Sequence, residues 1–262
     1  MSGLHDWFQT PPGQVALAWE RQQLDAALAD VFGYHALQLG LAELDALAAN
    51  RMPHRWLARL GPPVPDLDVP RTALVTESTA LPFPEASLDL VVLAHTLEFS
   101  ADPHACLREV QRVLVHEGRV AITGFNPVSL WGGRQRRAHW LRRLGGTRLY
   151  LPDVGEFITP WRLRDWLRLL EFELESSSYG CYQPAVRGAR ALARFGWMER
   201  LGRRWWPILG ATYCLVAVKR ARGMRLIGAS WKKPAATVSV PASLASRAVP
   251  TPTSTERHLE PR

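Results

Sequence analysis

The sequence predicts an α/β fold with a mostly parallel β-sheet, and three linked features indicate it. Leu88–Ala94 is an apolar run with a single acidic residue, which is typical of a strand covered by helices on both faces. Asp102 and Pro103 then supply a helix start, with Asp as N-cap and Pro at the first helical position. The helix is predicted to end at Gly118, before a second strand at Arg119–Thr123. Strand–helix–strand alternation of this kind favours parallel strands joined by right-handed crossovers.

The N-terminal third predicts two helices, two strands and an irregular connection. Val15–Asp30 has leucines at helical spacing and is predicted to be a helix. His35–Gly40 is predicted to be a strand that ends in a tight turn, and Ala42–Asn50 a short helix. Prolines and a glycine predict that residues 51–72 are irregular. A further strand is predicted at Thr72–Thr76.

The C-terminal half predicts an antiparallel hairpin with a helical insert. Ser129–Tyr150 reads as an irregular excursion with a short helix, and Thr159-Pro160 as another helix start. Phe172–Ser178 and Ala211–Lys219 are predicted to be strands that pair at the edge of the sheet. Between them, Ala185–Trp206 is predicted to be an Arg-rich helical stretch.

Composition divides the chain into three parts. Its 262 residues are 47% hydrophobic, which is enough for the core of one medium-sized domain. We expect a helical extension over residues 1–33, the α/β domain over 34–222 and a tail over 223–262. From residue 233 onward Pro, Ala, Ser, Thr and Val dominate without periodicity, so this part of the tail is predicted to be disordered.

The net charge of +8 conceals an uneven distribution. Residues 1–127 carry 8 basic and 15 acidic side chains, a net charge of −7. Residues 128–262 carry 24 basic and 9 acidic side chains, a net charge of +15. The second half is therefore the part that is expected to meet an anionic partner.

Cysteine usage and hydropathy favour a cytoplasmic protein. Cys106, Cys181 and Cys214 form no CxxC pair and no metal-ligand cluster, so we expect free buried thiols and no structural metal. The first residues lack the basic-then-apolar pattern of an export signal. No apolar run reaches the roughly 18–20 residues that a membrane-spanning helix needs.

Two segments carry a family resemblance. Thr76–Glu98 reads TESTALPFPEASLDLVVLAHTLE, and Arg108–Gly118 reads REVQRVLVHEG. These residues closely resemble the class I S-adenosylmethionine (SAM) dependent methyltransferases, in particular the group that includes quinone-biosynthesis methyltransferases. Gly124–Gly132, GFNPVSLWG, is also similar to uncharacterised bacterial methyltransferase-like proteins. The linked matches, which cover about Tyr34–Asn126, are more specific than a lone glycine motif.

The resemblance implies a Rossmann-like sheet of seven strands, SAM as cofactor and a site at the strand ends. The cofactor-binding residues carried over are Gly40, Glu77, Ser78, Ala94 and His95. Glu77, four positions before Leu-Pro-Phe, would accept a hydrogen bond from the adenine amino group. No catalytic residue and no metal ligand is assigned. The implied reaction is methyl transfer to a small-molecule acceptor, with lipid-like and quinone-like compounds as candidates.

The sequence also departs from the family pattern. Gln38 replaces the acid of the first motif, and Gly40 is the only glycine of that motif that remains. The ribose-binding acid has no clear counterpart, since Asp66 and Asp68 are the only carboxylates of residues 51–72. Phe99 replaces a common histidine. These departures leave open a methyltransferase-like protein that no longer turns over and instead binds a membrane or RNA.

The Arg- and Trp-rich segments 128–150 and 185–206 have three interpretations. The simplest is a solvated basic surface. The second is a peripheral contact with an anionic membrane, in which Trp side chains enter the interface. The third is RNA binding, in which arginines meet phosphates and aromatic rings stack on bases. The Trp clustering favours the membrane over RNA.

Overall fold

A computed structural model describes residues 2–60, 73–142, 149–153 and 155–220. All of them belong to one compact unit that ends at Ala221. None of the helices in this described part is long and apolar enough to cross a membrane. The predicted disordered tail, together with Asp66 and Asp68, lies outside the described residues.

The described chain contains seven strands and seven α-helices. The strands are β1 His35–Gly40, β2 His54–Leu60, β3 Ala73–Thr76, β4 Leu88–Ala94, β5 Leu114–Phe125, β6 Phe172–Gly180 and β7 Thr212–Lys219. The helices are α1 Ser2–Phe8, α2 Pro11–Leu28, α3 Pro103–Val113, α4 Leu130–Arg142, α5 Pro160–Leu169, α6 Ala189–Arg194 and α7 Trp197–Trp205. Short 3-10 helices add Ala42–Leu44 and Pro207–Leu209.

All seven strands form one sheet in the order β3-β2-β1-β4-β5-β7-β6. Strands β1 to β5 pair in parallel with one another, whereas β7 is antiparallel to both β5 and β6. The predicted α/β class, the mostly parallel sheet and the antiparallel hairpin at its edge are therefore confirmed.

Alternate residues of β4 enter two different cores, one on each face of the sheet. Leu90 and Val92 pack in a core with α1, α2 and Trp131 of α4. Val91 and Leu93 pack in a second core with apolar residues of α3 and α5. Because both faces of the strand are covered, its sequence is apolar at almost every position.

The region between β1 and β3 differs from its prediction. Residues 51–72 were expected to be irregular, but β2 occupies His54–Leu60 and pairs with both β1 and β3. Only Leu57 and Ala58 of this strand are fully buried, so its own pattern is weak. The helix predicted at Ala42–Asn50 is reduced to a 3-10 turn at Ala42–Leu44.

Three further segments differ from their predictions. Gly118 does not end a helix: α3 ends at Val113, and the glycine lies within β5. The Ala185–Trp206 stretch is two short helices, α6 and α7, that are separated at Phe195 and Gly196. The excursion after Phe125 contains α4, a regular helix of 13 residues.

The β6–β7 insert lies at the carboxyl edge of the sheet. Gly180, at the end of β6, pairs with Thr212, and Thr212 pairs with Phe125 at the end of β5. Residues 181–211 therefore leave the sheet at the same edge as the carboxyl ends of the parallel strands. This insert contains α6 and α7.

Candidate functional site

The strand order puts the switch point of the sheet between β1 and β4. The chain builds outward from β1 through β2 to β3, and then returns to add β4 on the other side of β1. Open α/β sheets bind ligands at such a switch point, outside the carboxyl ends of the strands. The last residues of the two strands, Gly40 and Ala94, lie opposite each other in the sheet register.

Position 40 requires a glycine because of its backbone conformation and the close approach of neighbouring atoms. Its φ angle is +100°, in the left-handed region that favours glycine. A Cβ atom there would overlap the carbonyl oxygen of Ala94 and lie 2.6 Å from Thr96 Oγ1. The next amide, Leu41 N, donates a hydrogen bond of 3.1 Å to that Ala94 oxygen. The glycine thus permits a close crossing of the two chain segments at the switch point.

Gln38, which stands where the family has an acid, ties down the loop after β1. Its buried amide Nε2 donates to Leu41 O at 2.7 Å, and its Oε1 accepts from Ala46 N at 2.8 Å. A carboxylate could accept from Ala46 N but could not donate to Leu41 O. The amide is therefore fitted to this loop and is already used by the protein backbone.

Glu77 and Ser78 lie at the end of β3, two strands away from Gly40. Glu77 is exposed, so its carboxylate is accessible from solvent. Ser78 is buried, and its Oγ lies 3.1 Å from Ser100 Oγ in the segment after β4. It also interacts with the thiol of Cys106 on α3. Ser78 thereby anchors the turn that presents Glu77.

His95, directly after β4, is the centre of a buried ionic cluster. Its Nδ1 lies 2.8 Å from Glu98 Oε2, and its Nε2 lies 3.0 Å from Glu20 Oε1 on α2. All three side chains are buried. The other Glu98 oxygen, Oε1, accepts from Phe125 N at the end of β5. The cluster joins α2 to the carboxyl ends of two neighbouring strands.

The charges of this cluster depend on one another. Burial lowers the pKa of His95, but attraction to Glu20 and Glu98 and hydrogen bonds to both outweigh it and raise that pKa from 6.5 to about 10. Burial raises the pKa of Glu98, and the contact with His95 offsets part of the rise. His95 is therefore an imidazolium at neutral pH that donates from both ring nitrogens.

Aromatic side chains cover this cluster. The ring of Phe8 on α1 lies 5.3 Å from the His95 ring, and that of Phe125 lies 4.4 Å from it. Trp7 packs edge-on against Phe125 at 5.0 Å and donates from Nε1 to Tyr150 O at 2.7 Å. Helix α1 is thus fixed over the carboxyl ends of β4 and β5.

The structure brings some of the predicted site residues together and separates others. Gly40, Ala94 and His95 meet at the switch point, whereas Glu77 and Ser78 form a second group at the end of β3. Glu20, Glu98 and Phe8 were not among the predicted site residues. Glu20 carried a signal, because it lies within the apolar face of α2 between Leu17 and Leu24.

The adenine end of SAM fits the residues present. The exposed carboxylate of Glu77 can accept a hydrogen bond from an exocyclic amine. At the methionine end, the side chains of Gln38 and His95 are already hydrogen-bonded within the protein. These two side chains would have to exchange partners to hold the methionine portion. Within the described ranges, no three His, Cys, Asp or Glu side chains group as metal ligands do.

Comparisons with known proteins agree with this geometry. Residues 64–122 match the sequence profile of the methyltransferase domain family. The chain is 33% identical over 174 residues to the uncharacterized protein YafS of Escherichia coli, and the alignment covers 66% of each chain, about two thirds.

Two solved structures have a similar fold. A SAM-dependent methyltransferase from Thermotoga maritima superposes with a TM-score of 0.52, at 15% identity, over 76% of this chain and 88% of its own. The 4+2 cyclase SpnF superposes with a TM-score of 0.51, at 17% identity, over 80% of this chain and 82% of its own. Taken with the strand order, these findings identify the chain as a homologue of YafS that has the fold of class I SAM-dependent methyltransferases and a segment, residues 64–122, that matches the methyltransferase domain family.

Proposed function

We propose that this chain binds SAM at the carboxyl ends of β1, β3 and β4 and transfers its methyl group to a small-molecule acceptor. The observation that carries the proposal is the exposed carboxylate of Glu77. It follows β3 of a methyltransferase-type sheet, and a required glycine, Gly40, marks the switch point. The matched methyltransferase domain segment supports the same assignment.

In this proposal the protein binds SAM, orients the acceptor and excludes water from the site. Glu77 accepts a hydrogen bond from the adenine amino group, and Ser78 holds the turn that carries it. The sulfonium of SAM supplies an already activated methyl group, so the chain mainly has to align the acceptor with it. Helix α1, with Trp7 and Phe8, is placed to keep water from the strand ends.

We propose a lipid-like or quinone-like acceptor. The β6–β7 insert lies at the carboxyl edge of the sheet, where the acceptor must approach. It exposes Trp197, Trp205 and Trp206 to solvent. Exposed aromatic side chains at the entrance of a site favour an apolar molecule over a strongly polar one.

A second candidate function is ligand or surface binding without turnover. The observation that favours it is the filled switch point, where Phe8, His95 and Glu98 are buried side by side. The structural relative SpnF is a cyclase, so this fold does not by itself decide the reaction.

Calorimetric titration with SAM and S-adenosylhomocysteine tests the first candidate. Saturable heat is expected for the wild-type chain, and Glu77→Ala should weaken binding by about 10- to 100-fold, because a hydrogen bond to a charged group is lost. The matched control is Glu85→Ala, which removes another exposed carboxylate from the following loop.

Each outcome decides one part of the proposal. Absence of heat and of thermal stabilisation at millimolar ligand would overturn SAM binding and leave the second candidate. Binding that Glu77→Ala leaves unchanged would show that the adenine lies elsewhere.

A further inference from the structure

The β6–β7 insert exposes an unusual number of apolar side chains. Six large ones lie within 13 residues, although the protein has two well-filled cores to accept such groups. They are Trp197, Leu201, Trp205, Trp206, Ile208 and Leu209. A clustered set of exposed apolar side chains marks an interaction surface more often than scattered single ones do.

Helix α7 is packed firmly, so this exposure is not caused by a loose segment. Met198, Glu199 and Gly202 face the protein. A Cβ on Gly202 would overlap the ring of Tyr182, and Glu199 Oε2 accepts from Tyr182 N at 3.2 Å. Tyr182 in turn donates from its hydroxyl to Pro207 O at 2.7 Å. The inner face of the helix and the turn after it are therefore held by one tyrosine.

The outer face of α7 is divided into two adjacent stripes. Trp197, Leu201 and Trp205 are four residues apart and form an apolar stripe along the helix. Arg200, Arg203 and Arg204 are exposed and form a basic stripe beside it. We call these six residues the α7 surface. A helix with an apolar stripe that adjoins a basic one is typical of helices that lie in the interface of a membrane.

We propose that the α7 surface docks the protein on an anionic phospholipid bilayer. The apolar stripe would enter the boundary between headgroups and acyl chains, and the guanidinium groups would meet lipid phosphates. Trp206, Ile208 and Leu209 continue the apolar surface beyond the helix. Aliphatic side chains such as Leu201, Ile208 and Leu209 suit a lipid interior, whereas RNA offers them neither a stacking partner nor a hydrogen bond. The membrane is therefore favoured over nucleic acid.

Docking here would hold the carboxyl edge of the sheet towards the membrane. The insert leaves the sheet at Gly180 and returns at Thr212, and both residues lie at that edge. A substrate that resides in the bilayer would then face the strand ends. The docking itself does not require methyl transfer, so it is tested without SAM.

Vesicle flotation of the full chain tests the docking. Vesicles of phosphatidylglycerol mixed with phosphatidylcholine should carry the protein at low salt, whereas phosphatidylcholine alone should not. A triple Arg→Gln variant of the basic stripe should lower the partition coefficient on the order of 100-fold, because each basic residue near an anionic surface raises that coefficient by about fivefold. Its substitutions are Arg200→Gln, Arg203→Gln and Arg204→Gln.

A matched control distinguishes the effect of the α7 surface on vesicle binding from the effect of a lower net charge. A second triple Arg→Gln variant removes the same charge from exposed positions elsewhere and should float like the wild type. Its substitutions are Arg51→Gln, Arg108→Gln and Arg168→Gln.

The apolar stripe is tested in the same way. Replacing Trp197, Leu201 and Trp205 by Ser should lower partitioning by about tenfold or more, since buried apolar area drives interfacial binding. The control is Trp161→Ser with Leu169→Ser, which removes exposed apolar groups from α5. Circular dichroism checks that all variants are folded.

Three results would overturn the proposal. The first is a wild-type chain that does not float with anionic vesicles at low salt. The second is flotation that neither α7 variant reduces, which would assign binding to another part of the chain. The third is binding of single-stranded RNA, by gel shift, in the absence of vesicle binding.

Discussion

At the scale of single residues, the most consequential contact is the one that joins His95 to Glu20 and Glu98. Two carboxyl groups and one imidazolium are enclosed at the end of β4 without access to solvent. Burying such groups is costly unless they are paired, and here the imidazolium lies between the two carboxyl groups and donates to both. The cluster therefore stabilises the fold only as a complete set.

His95→Gln is expected to destabilise the protein by about 3–5 kcal/mol at pH 7, because it leaves Glu20 and Glu98 buried without their cation. The pKa of His95 is raised from 6.5 to about 10 in the folded state. Its stabilisation is thus fully present below about pH 6.5 and is lost as the pH rises through about 10. The difference in the free energy of unfolding between wild type and variant should become smaller from pH 7 to pH 10. Urea unfolding at several pH values measures it.

The control for this experiment is His116→Gln, at an exposed position of β5. It should leave the free energy of unfolding nearly unchanged at every pH. A cost below about 1 kcal/mol for His95→Gln, or one that does not vary with pH, would show that the cluster does not hold a protonated histidine.

Of the three members of this cluster, only His95 was predicted from the sequence as a site residue. His95 was selected because it lies in a segment that resembles known methyltransferases. Glu20 is 75 residues away, and no local pattern links the two. A carboxylate within the apolar face of α2 was visible in the sequence, but its partner depends on how α2 crosses the sheet. That crossing is set by tertiary packing.

At the scale of elements, prediction succeeded where each segment carries its own signal. β4 was predicted with its exact bounds, because both of its faces are buried and it is apolar almost throughout. α3 was predicted from its cap: Asp102 accepts from Ala105 N at 2.9 Å, as the Asp-Pro pair implies. β2 was missed because apolar and polar residues do not alternate along its sequence, HRWLARL. It is a strand because β1 and β3 flank it.

The attachment of α7 is a testable property of one element. Gly202→Ala should destabilise the protein by about 1–3 kcal/mol, because the added methyl group overlaps the ring of Tyr182. The comparison is Gly188→Ala, where an added Cβ meets only Ala191 Cβ at 4.0 Å. Hydrogen exchange should rise in α7 of the first variant and not of the second. Equal exchange in both would mean that the helix is not held through this contact.

At the scale of the whole molecule, the sheet topology agrees with the family resemblance. The uneven charge distribution is a separate property of the chain. The seven-strand order and the antiparallel β7 follow the family that the Thr76–Glu98 segment resembles. The family resemblance does not account for the net charge of +15 that residues 128–262 carry. Much of that charge is on exposed side chains, whereas the cores and the His95 cluster are buried. Stability and partner binding should therefore respond differently to salt.

We expect that raising NaCl from about 0.05 M to about 0.5 M changes the free energy of unfolding by less than about 1 kcal/mol. The exposed ion pairs, such as Arg142–Asp153 and Arg162–Glu156, contribute little, and buried contacts are poorly screened. The same change in salt should lower affinity for anionic vesicles by about tenfold or more, since surface charges are screened within a few ångströms. Urea unfolding and vesicle flotation on one preparation measure both quantities. Stability that falls steeply with salt would mean that exposed charges, and not the two apolar cores, hold this fold together.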